Sequence, residues 1–472
     1  MTNKTTRRHF FFGSLLTAAI PAGGFGAVPK LGRLGYKSPN EKLNVAAIGA
    51  GGKGRSDIAG CIGENIVALA DPDDERAAET FEKYPKAKKY KDFRKMLDKE
   101  QREIDAVIVA TPDHMHGMAS MWAMERGKAV YCQKPLTRTI WEARQLAEGA
   151  AKHGVATQMG NQGYSEDGTR RAAEIIWSGE IGGVTEVHAW SNRPIWPQGV
   201  DKIPAKQPVP STMDWDTWLG IADDRPYNAD YAPFNWRGWH DFGCGALGDM
   251  ACHILGSANL ALMLDAPTSV EVVSQEGKNE HTFPTKSVIR FDFPARKTMP
   301  PVKVFWYDGA TDAAYRPEAL KGQRLIPISE RSISRMAMTA GRTQQDIDEF
   351  EAREQANGAL FVGEKGYMAT DTYAESVHLL PRRRNDYHVM PPELLTRSPG
   401  HYQDWIRAAK GGSPSCSDFS VAGPFTEWIL LGVLALRFEG KLEWDQANMR
   451  VTNNEAANEL IKPTFRKGWS WT

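Results

Sequence analysis

Six residues, Gly49-Ala50-Gly51-Gly52-Lys53-Gly54, constrain the fold of this chain more than any others. They follow an apolar run, Leu43-Asn44-Val45-Ala46-Ala47-Ile48, and lead into a helix-compatible stretch. Gly49, Gly51 and Gly54 satisfy G-x-G-x-x-G. In that pattern the first glycine turns the chain sharply after a strand, the second lets backbone reach a pyrophosphate, and the third lets a helix start lie close to the sheet. The N–H groups at such a helix start attract phosphate. Gly52 and Lys53 occupy the same turn, and Lys53 adds a cation within reach of a phosphate. Asp71 stands directly after a second apolar run at 66–70, 22 residues beyond Gly49. A carboxylate there suits the hydroxyls of an adenosine ribose and repels a 2′-phosphate, which predicts NAD in preference to NADP.

The strand signature recurs. Short apolar runs at 43–48, 66–70, 106–110 and 129–132 alternate with charged, helix-favouring stretches at 74–83, 93–99 and 116–126. Apolar runs without alternation are expected of strands covered on both faces, and the β–α repeat predicts a doubly wound parallel sheet of the Rossmann kind over 43–160. With 472 residues the chain is too long for one core. After Gly160 the texture changes. A helix is predicted at 166–178 and strands at 183–191, 268–275, 286–293 and 302–307, several with the alternation of an antiparallel sheet. The fold class is therefore α/β: an N-terminal Rossmann sheet and, over 161–472, a C-terminal α+β domain with a mainly antiparallel open sheet. Residues 308–356 read as a surface excursion, and 422–438, with Trp428-Ile429-Leu430-Leu431, as a buried helix. An open sheet in the second domain also invites pairing into a homo-oligomer.

The N-terminus carries a different message. Thr6-Arg7-Arg8-His9-Phe10, an apolar stretch to Ile20 and the small-residue zone 22–27 read as a twin-arginine signal peptide over 1–30, followed by a linker at 31–42. The apolar stretch is well short of the roughly 20 residues a membrane span needs. The expectation is a protein folded in the cytoplasm with its cofactor aboard, then passed by the twin-arginine export machinery to the periplasm, and not embedded in a membrane. Charge is balanced, 58 basic against 58 acidic residues, so no nucleic-acid footprint is present. The five cysteines are scattered without a CxxC pair, which argues against a disulfide framework or a zinc site.

Three further segments fall where strand ends should face a cofactor: Thr111-Pro112-Asp113-His114-Met115-His116, Cys132-Gln133-Lys134-Pro135-Leu136, and 245–253 with Asp249 and His253. With these the chain resembles the Gfo/Idh/MocA oxidoreductases over most of 43–265. The resemblance implies a catalytic group of Lys134, Asp249 and His253, and places Thr111, Pro112, His114 and His116 at the nicotinamide end of the cofactor site, with Gln162 of the 160–162 segment at the cofactor–substrate junction. The chemistry agrees. Hydride removal from a secondary alcohol needs a base for the hydroxyl proton and a cation near the oxygen as it becomes a carbonyl. Asp249 and His253, four residues apart, share one helix face, and an imidazole titrates near neutral pH. Two departures from the family pattern stand out: Gln133, whose amide can still hydrogen-bond a ribose of the cofactor, replaces the usual glutamate before the lysine, and Gly256 replaces an acid common three residues after the histidine. No metal is expected at His114 and His116.

Six tryptophans, Trp190, Trp196, Trp215, Trp218, Trp236 and Trp239, crowd into fifty residues. Such rings either build a core or stack on sugar C–H faces. Trp236 and Arg237, with Arg193, are the candidate substrate contacts. The leading expectation is an NAD-dependent enzyme that oxidises a secondary hydroxyl of a sugar, glycoside or cyclic polyol, with tightly held cofactor because the periplasm offers no pool of free NAD. The alternative is a redox-neutral glycoside hydrolase or lyase that oxidises transiently at C3.

Overall fold

A computed structural model of the chain describes residues 41–310, 312–326, 355–381 and 390–471. The predicted twin-arginine leader, most of the predicted linker and much of the predicted excursion lie outside these residues.

The first domain runs β1 (Asn44–Ile48), α1 (Lys53–Gly60), β2 (Asn65–Ala70), α2 (Asp74–Lys83), β3 (Lys88–Tyr90) and α3 (Phe93–Lys99). It continues through β4 (Ala106–Val109), α4 (Asp113–Glu125), β5 (Ala129–Cys132), α5 (Ile140–His153) and β6 (Thr157–Met159). All strands are parallel, in the order β3-β2-β1-β4-β5-β6. β4 and β5 are buried at every position, which is why their sequences show no alternation. Local signals fix the helix ends. The Asp73 carboxylate accepts from the N–H groups of Glu75 and Arg76 at the start of α2, and Thr139 and Glu142 form a capping box on α5, which ends on left-handed Gly154. Strand order reverses between β1 and β4, so the connections that leave their C-terminal ends run in opposite directions and open a crevice there.

The second domain begins with α6 (Asp167–Trp177), β7 (Val184–Ser191), α7 (Trp215–Leu219), α8 (Gly245–Ile254) and α9 (Gly256–Ala261). β8 (Ser269–Glu276), β9 (Lys286–Phe293), β10 (Val302–Asp308), β11 (Asn357–Gly363), β12 (Gly366–Thr370) and β13 (Val377–Leu380) follow. α10 (His401–Ala409), α11 (Phe419–Ala435), β14 (Lys441–Asp445), β15 (Arg450–Val451) and α12 (Glu455–Asn458) complete it. The sheet order is β13-β12-β11-β7-β10-β9-β8-β14-β15, antiparallel except for β7 against β10. α8, α9 and α11 pack on one face, and α11 also lies along α5, so one apolar helix joins the two cores.

Most of the tryptophan cluster is core. Trp215, Trp218, Trp236 and Trp239 pack with Tyr227, Tyr231 and Phe242 into a separate apolar cluster within the insertion between β7 and α8. Trp190 is buried elsewhere, under residues 320–326 on the outer face of the sheet. The buried helix predicted at 422–438 starts and stops three residues earlier, because Asp418 caps it through the Ser420 N–H.

Candidate active site

A cleft of about 820 Å³ lies over the C-terminal ends of β1, β2, β4 and β5, bounded on its other side by the second domain. At one end the glycine turn does what its sequence demands. Gly49 has φ +86°, and a Cβ there would lie 2.5 Å from the Ala110 carbonyl oxygen; one on Gly54 would collide with the carbonyl of Gly49. α1 starts at this turn with no side-chain cap, so its first N–H groups are open to an anion. Asp71 lines the cleft and is buried; its Oδ2 accepts from the N–H groups of Ala50 (2.8 Å) and Gly51 (3.0 Å), and its Oδ1 from Asp73 (3.0 Å). Burial pushes its carboxyl up to about 6 against those three donors. Thr111 and Pro112 line the cleft, and the Thr111 hydroxyl is buried with no partner among the described residues. The uncapped helix start, the glycine approach and this orphaned hydroxyl fit a dinucleotide.

Lys53 also lines the cleft. Its ammonium donates to Asp57 Oδ1 (2.5 Å) and to the side-chain oxygen of Gln162 (3.2 Å), whose amide donates to the Gly160 carbonyl. Asp57, which the motif reading missed, is the centre of this corner. It is wholly buried, and it also accepts from Gln133 Nε2 (2.8 Å) and from the Tyr402 hydroxyl (2.7 Å). That geometry accounts for Gln133. A glutamate would set a second carboxylate against Asp57, whereas the amide donates to it. The only sequence signal was the i, i+4 spacing of Lys53 and Asp57 at the start of α1.

The two histidines of the β4–α4 segment have different fates. His116 lines the cleft and ties its walls together, one ring nitrogen 2.7 Å from the Pro135 carbonyl and the other 2.8 Å from that of Thr111. His114 does not reach the cofactor crevice, contrary to expectation. It points the other way on α4, packs between Trp218 and Phe242, and sets Nε2 3.2 Å from the Trp218 carbonyl. Helical geometry explains the correction: a helix turns about 100° per residue, so residues two apart point to nearly opposite sides. Asp113, at the first position of α4, takes the place in the cleft instead. Burial pushes its carboxyl up to about 7, with Arg237 opposing.

Lys134, Asp249 and His253 converge on the cleft. The Lys134 ammonium donates to Asp249 Oδ1 and to the Asp249 backbone carbonyl, each at 2.8 Å. Two of its three N–H bonds are thus committed, which leaves the third for a substrate oxygen. Arg237 Nε reaches the same carboxylate oxygen at 3.3 Å, and its guanidinium lies 4.2 Å from the Trp236 ring and 4.7 Å from that of Phe234. Burial alone would raise Asp249, but Lys134 and Arg237 hold it down to about 2. His253 sits one turn along α8, its ring 4.9 Å from that of Tyr373 and its Nδ1 buried without a partner among the described residues. Burial, reinforced by the Lys134 charge, pushes it well below the usual imidazole range. The sequence predicts titration near neutral pH; in this pocket burial instead favours the neutral imidazole. Arg193, at the end of β7, lines the same region. Sequence reading missed Tyr373 and Glu375, which arrive on a loop after β12 that no motif marks.

The segment 210–218 closes the cleft over the turn after β2. Asp214 N–H donates to the Pro72 carbonyl (2.8 Å), while the Thr212 carbonyl accepts from Asp74 N–H (3.1 Å) and Lys91 Nζ (2.8 Å). Met213 and Thr217 line the cleft beside Asp71 and Arg76.

Comparison with known proteins agrees with this geometry. Residues 43–161 match "Oxidoreductase family, NAD-binding Rossmann fold" and 180–293 match "Oxidoreductase family, C-terminal alpha/beta domain", both of the Gfo/Idh/MocA group. An inositol 2-dehydrogenase of Serratia proteamaculans is 31% identical over 32% of this chain and 46% of its own length. A 2,7-anhydro-N-acetylneuraminate hydratase of Mediterraneibacter gnavus is 29% identical over 28% of this chain and 33% of its own. Each match thus spans less than half of the relative. A levoglucosan dehydrogenase solved with NADH and L-sorbose shares the fold, with a TM-score of 0.52, 18% identity, and coverage of 86% of this chain and all of that one. Through these two matched domains, the chain belongs to the Gfo/Idh/MocA oxidoreductase family.

Proposed function

We propose that the chain is an NAD-dependent oxidoreductase that removes hydride from a carbon bearing a secondary hydroxyl of a sugar, glycoside or cyclic polyol. The observation that carries this reading is the convergence of Lys134, Asp249 and His253 in the cleft that begins at the glycine turn. NAD, held by the 49–54 turn, Asp71 and Thr111, supplies the hydride acceptor. Everything else falls to side chains. His253, kept neutral by burial, takes the hydroxyl proton. Lys134 donates its remaining N–H to the substrate oxygen and steadies the negative charge that develops there. Asp249 pins that ammonium from the far side. The Asp71 carboxylate supports NAD over NADP, and the strap at 210–218 supports a cofactor that does not exchange freely. The motif at 6–10 supports export through the twin-arginine machinery to the periplasm, where retention is needed.

A second reading is redox-neutral cleavage of a glycosidic bond through transient oxidation at C3. Asp113 favours it, because elimination and addition need a second group that exchanges a proton near neutral pH, and a buried carboxyl at about 7 is suited to that. The hydratase relative is consistent with it. One experiment separates the two: incubation of purified protein with a panel of glycosides, free sugars and cyclic polyols and mass analysis of products. Keto-sugars with a reduced cofactor support net oxidation; free monosaccharides or an unsaturated sugar with unchanged cofactor support the second reading. Absence of both with every substrate, from protein whose spectrum shows bound nicotinamide, refutes the proposal.

A further inference from the structure

The mouth of the cleft carries a pair of aromatic side chains that the reaction does not use. Among the described residues, Phe234 and Tyr373 are the only aromatic members of the exposed large apolar set, at 40% and 38% exposure, and both line this cleft. Neither is loose. Phe234 lies under the Arg237 guanidinium, and its carbonyl accepts from Arg237 Nη1 (3.2 Å). Tyr373 rides on a loop pinned by Asp371, whose carboxylate accepts from the N–H groups of Tyr373 (3.1 Å), Glu375 (2.9 Å) and Ser376 (2.9 Å). The back of that loop packs on Gly163 so closely that a Cβ there would lie 2.8 Å from the Tyr373 carbonyl.

Depth sets these rings apart from the reacting groups. The Lys134 and Asp249 side chains are 14% and 15% exposed, and His253 is 5% exposed. A ring whose hydroxyl touches Lys134 and His253 lies at the floor of the cleft; Tyr373, its ring 4.9 Å from that of His253, runs outward from that floor, and Phe234, under Arg237, is likewise far more exposed than the reacting groups. Rigid aromatic faces that remain uncovered cost free energy unless something apolar covers them, and the C–H face of a sugar does so while its hydroxyls stay wet. Arg193 and Glu375 line the same rim with hydrogen-bonding groups.

We propose that the rim is a subsite for a second ring: the substrate is a glycoside of at least two rings, one reacting at Lys134 and His253 and the next stacked on Phe234 and Tyr373. This rests on the carbohydrate reading above. A free cyclitol or monosaccharide would fill only the floor.

The test is a binding titration on the protein with its cofactor, using glucose, galactose and myo-inositol as one-ring probes and maltose, cellobiose and lactose as two-ring probes. The best two-ring probe is expected to bind at least tenfold more tightly than the best one-ring probe. Phe234→Ala and Tyr373→Ala should each bring that ratio close to one, and Phe234→Trp should retain it, which separates loss of a stacking face from loss of the fold. Equal affinity for one and two rings, or a ratio that survives both alanine variants, overturns the second-ring subsite and leaves the carbohydrate reading intact. Failure of every sugar to bind overturns both.

Discussion

Gln133→Glu restores the residue type usual in the family at this position, and the structure says that it harms this protein. Gln133 Nε2 lies 2.8 Å from Asp57 Oδ2, and Asp57 is wholly buried. A glutamate there replaces a donor with a second carboxylate. Two unit charges about 4 Å apart at an effective dielectric constant near 20 repel by about 4 kcal/mol. Protonating one of the pair offers an escape: holding a carboxyl neutral at pH 7 against an ordinary pKa of about 4.3 costs about 3.7 kcal/mol. Lys53 and Tyr402, which already donate to Asp57, absorb part of either cost. The expected destabilisation is about 3 kcal/mol at pH 7. The added proton of the folded pair is bound with a raised pKa, so the penalty is small at pH 4 and grows as the pH rises through the ordinary carboxylate range. Denaturant titrations at pH 4.5 and pH 7 read this directly, with Asp57→Asn/Gln133→Glu as the compensating double variant. Equal stability of wild type and Gln133→Glu at pH 7, or no recovery in the double variant, refutes the reasoning.

Lys134→Met removes the ammonium beside the substrate oxygen and should lower kcat by about 10²–10³ with little change in cofactor content, measured by single-turnover hydride transfer. Cofactor loss in parallel with activity would assign Lys134 to binding instead. In the pH profile of kcat/KM, protonation of His253 should abolish activity only well below pH 6.5, and Asp113 should add an inflection near 7 that vanishes in Asp113→Asn; an acid limb at 6.5 that survives in that variant would contradict a buried, neutral His253. Lys91→Ala with Asp214→Pro deletes three hydrogen bonds of the strap, those of Lys91 to Thr212, of the Asp214 N–H to Pro72 and of the Thr217 N–H to the Asp214 carboxylate, each worth about 1 kcal/mol. Cofactor release in stopped-flow or dialysis should accelerate about tenfold or more, and an unchanged rate would show that the strap does not retain it.

What could be read from residues and what could not divides along a physical line. The glycine turn was legible because its backbone geometry permits almost no other residue: Gly49 and Gly54 sit where a Cβ would strike carbonyl oxygens. Lys134, Asp249 and His253 were legible through the family resemblance, and the i, i+4 spacing of two of them placed both on one helix face. The parallel sheet was legible from runs such as 106–109, buried on both sides. Asp57, Asp113 and Tyr373 were not, and for one reason. Their importance lies in which distant partner faces them: Tyr402 comes to Asp57 from 345 residues away, and Tyr373 comes to His253 on a loop tied by Asp371 and packed on Gly163. Tertiary pairing of that kind leaves no periodicity to find. Gln133 shows the converse. Its identity is a visible departure from the family pattern, yet its meaning resides in Asp57, so a single substitution in a motif is interpretable only with the residue that touches it. A cleft assembled from strand ends of one domain and loops of another therefore announces its motif-bearing half in sequence, while the half built by tertiary pairing waits for the fold.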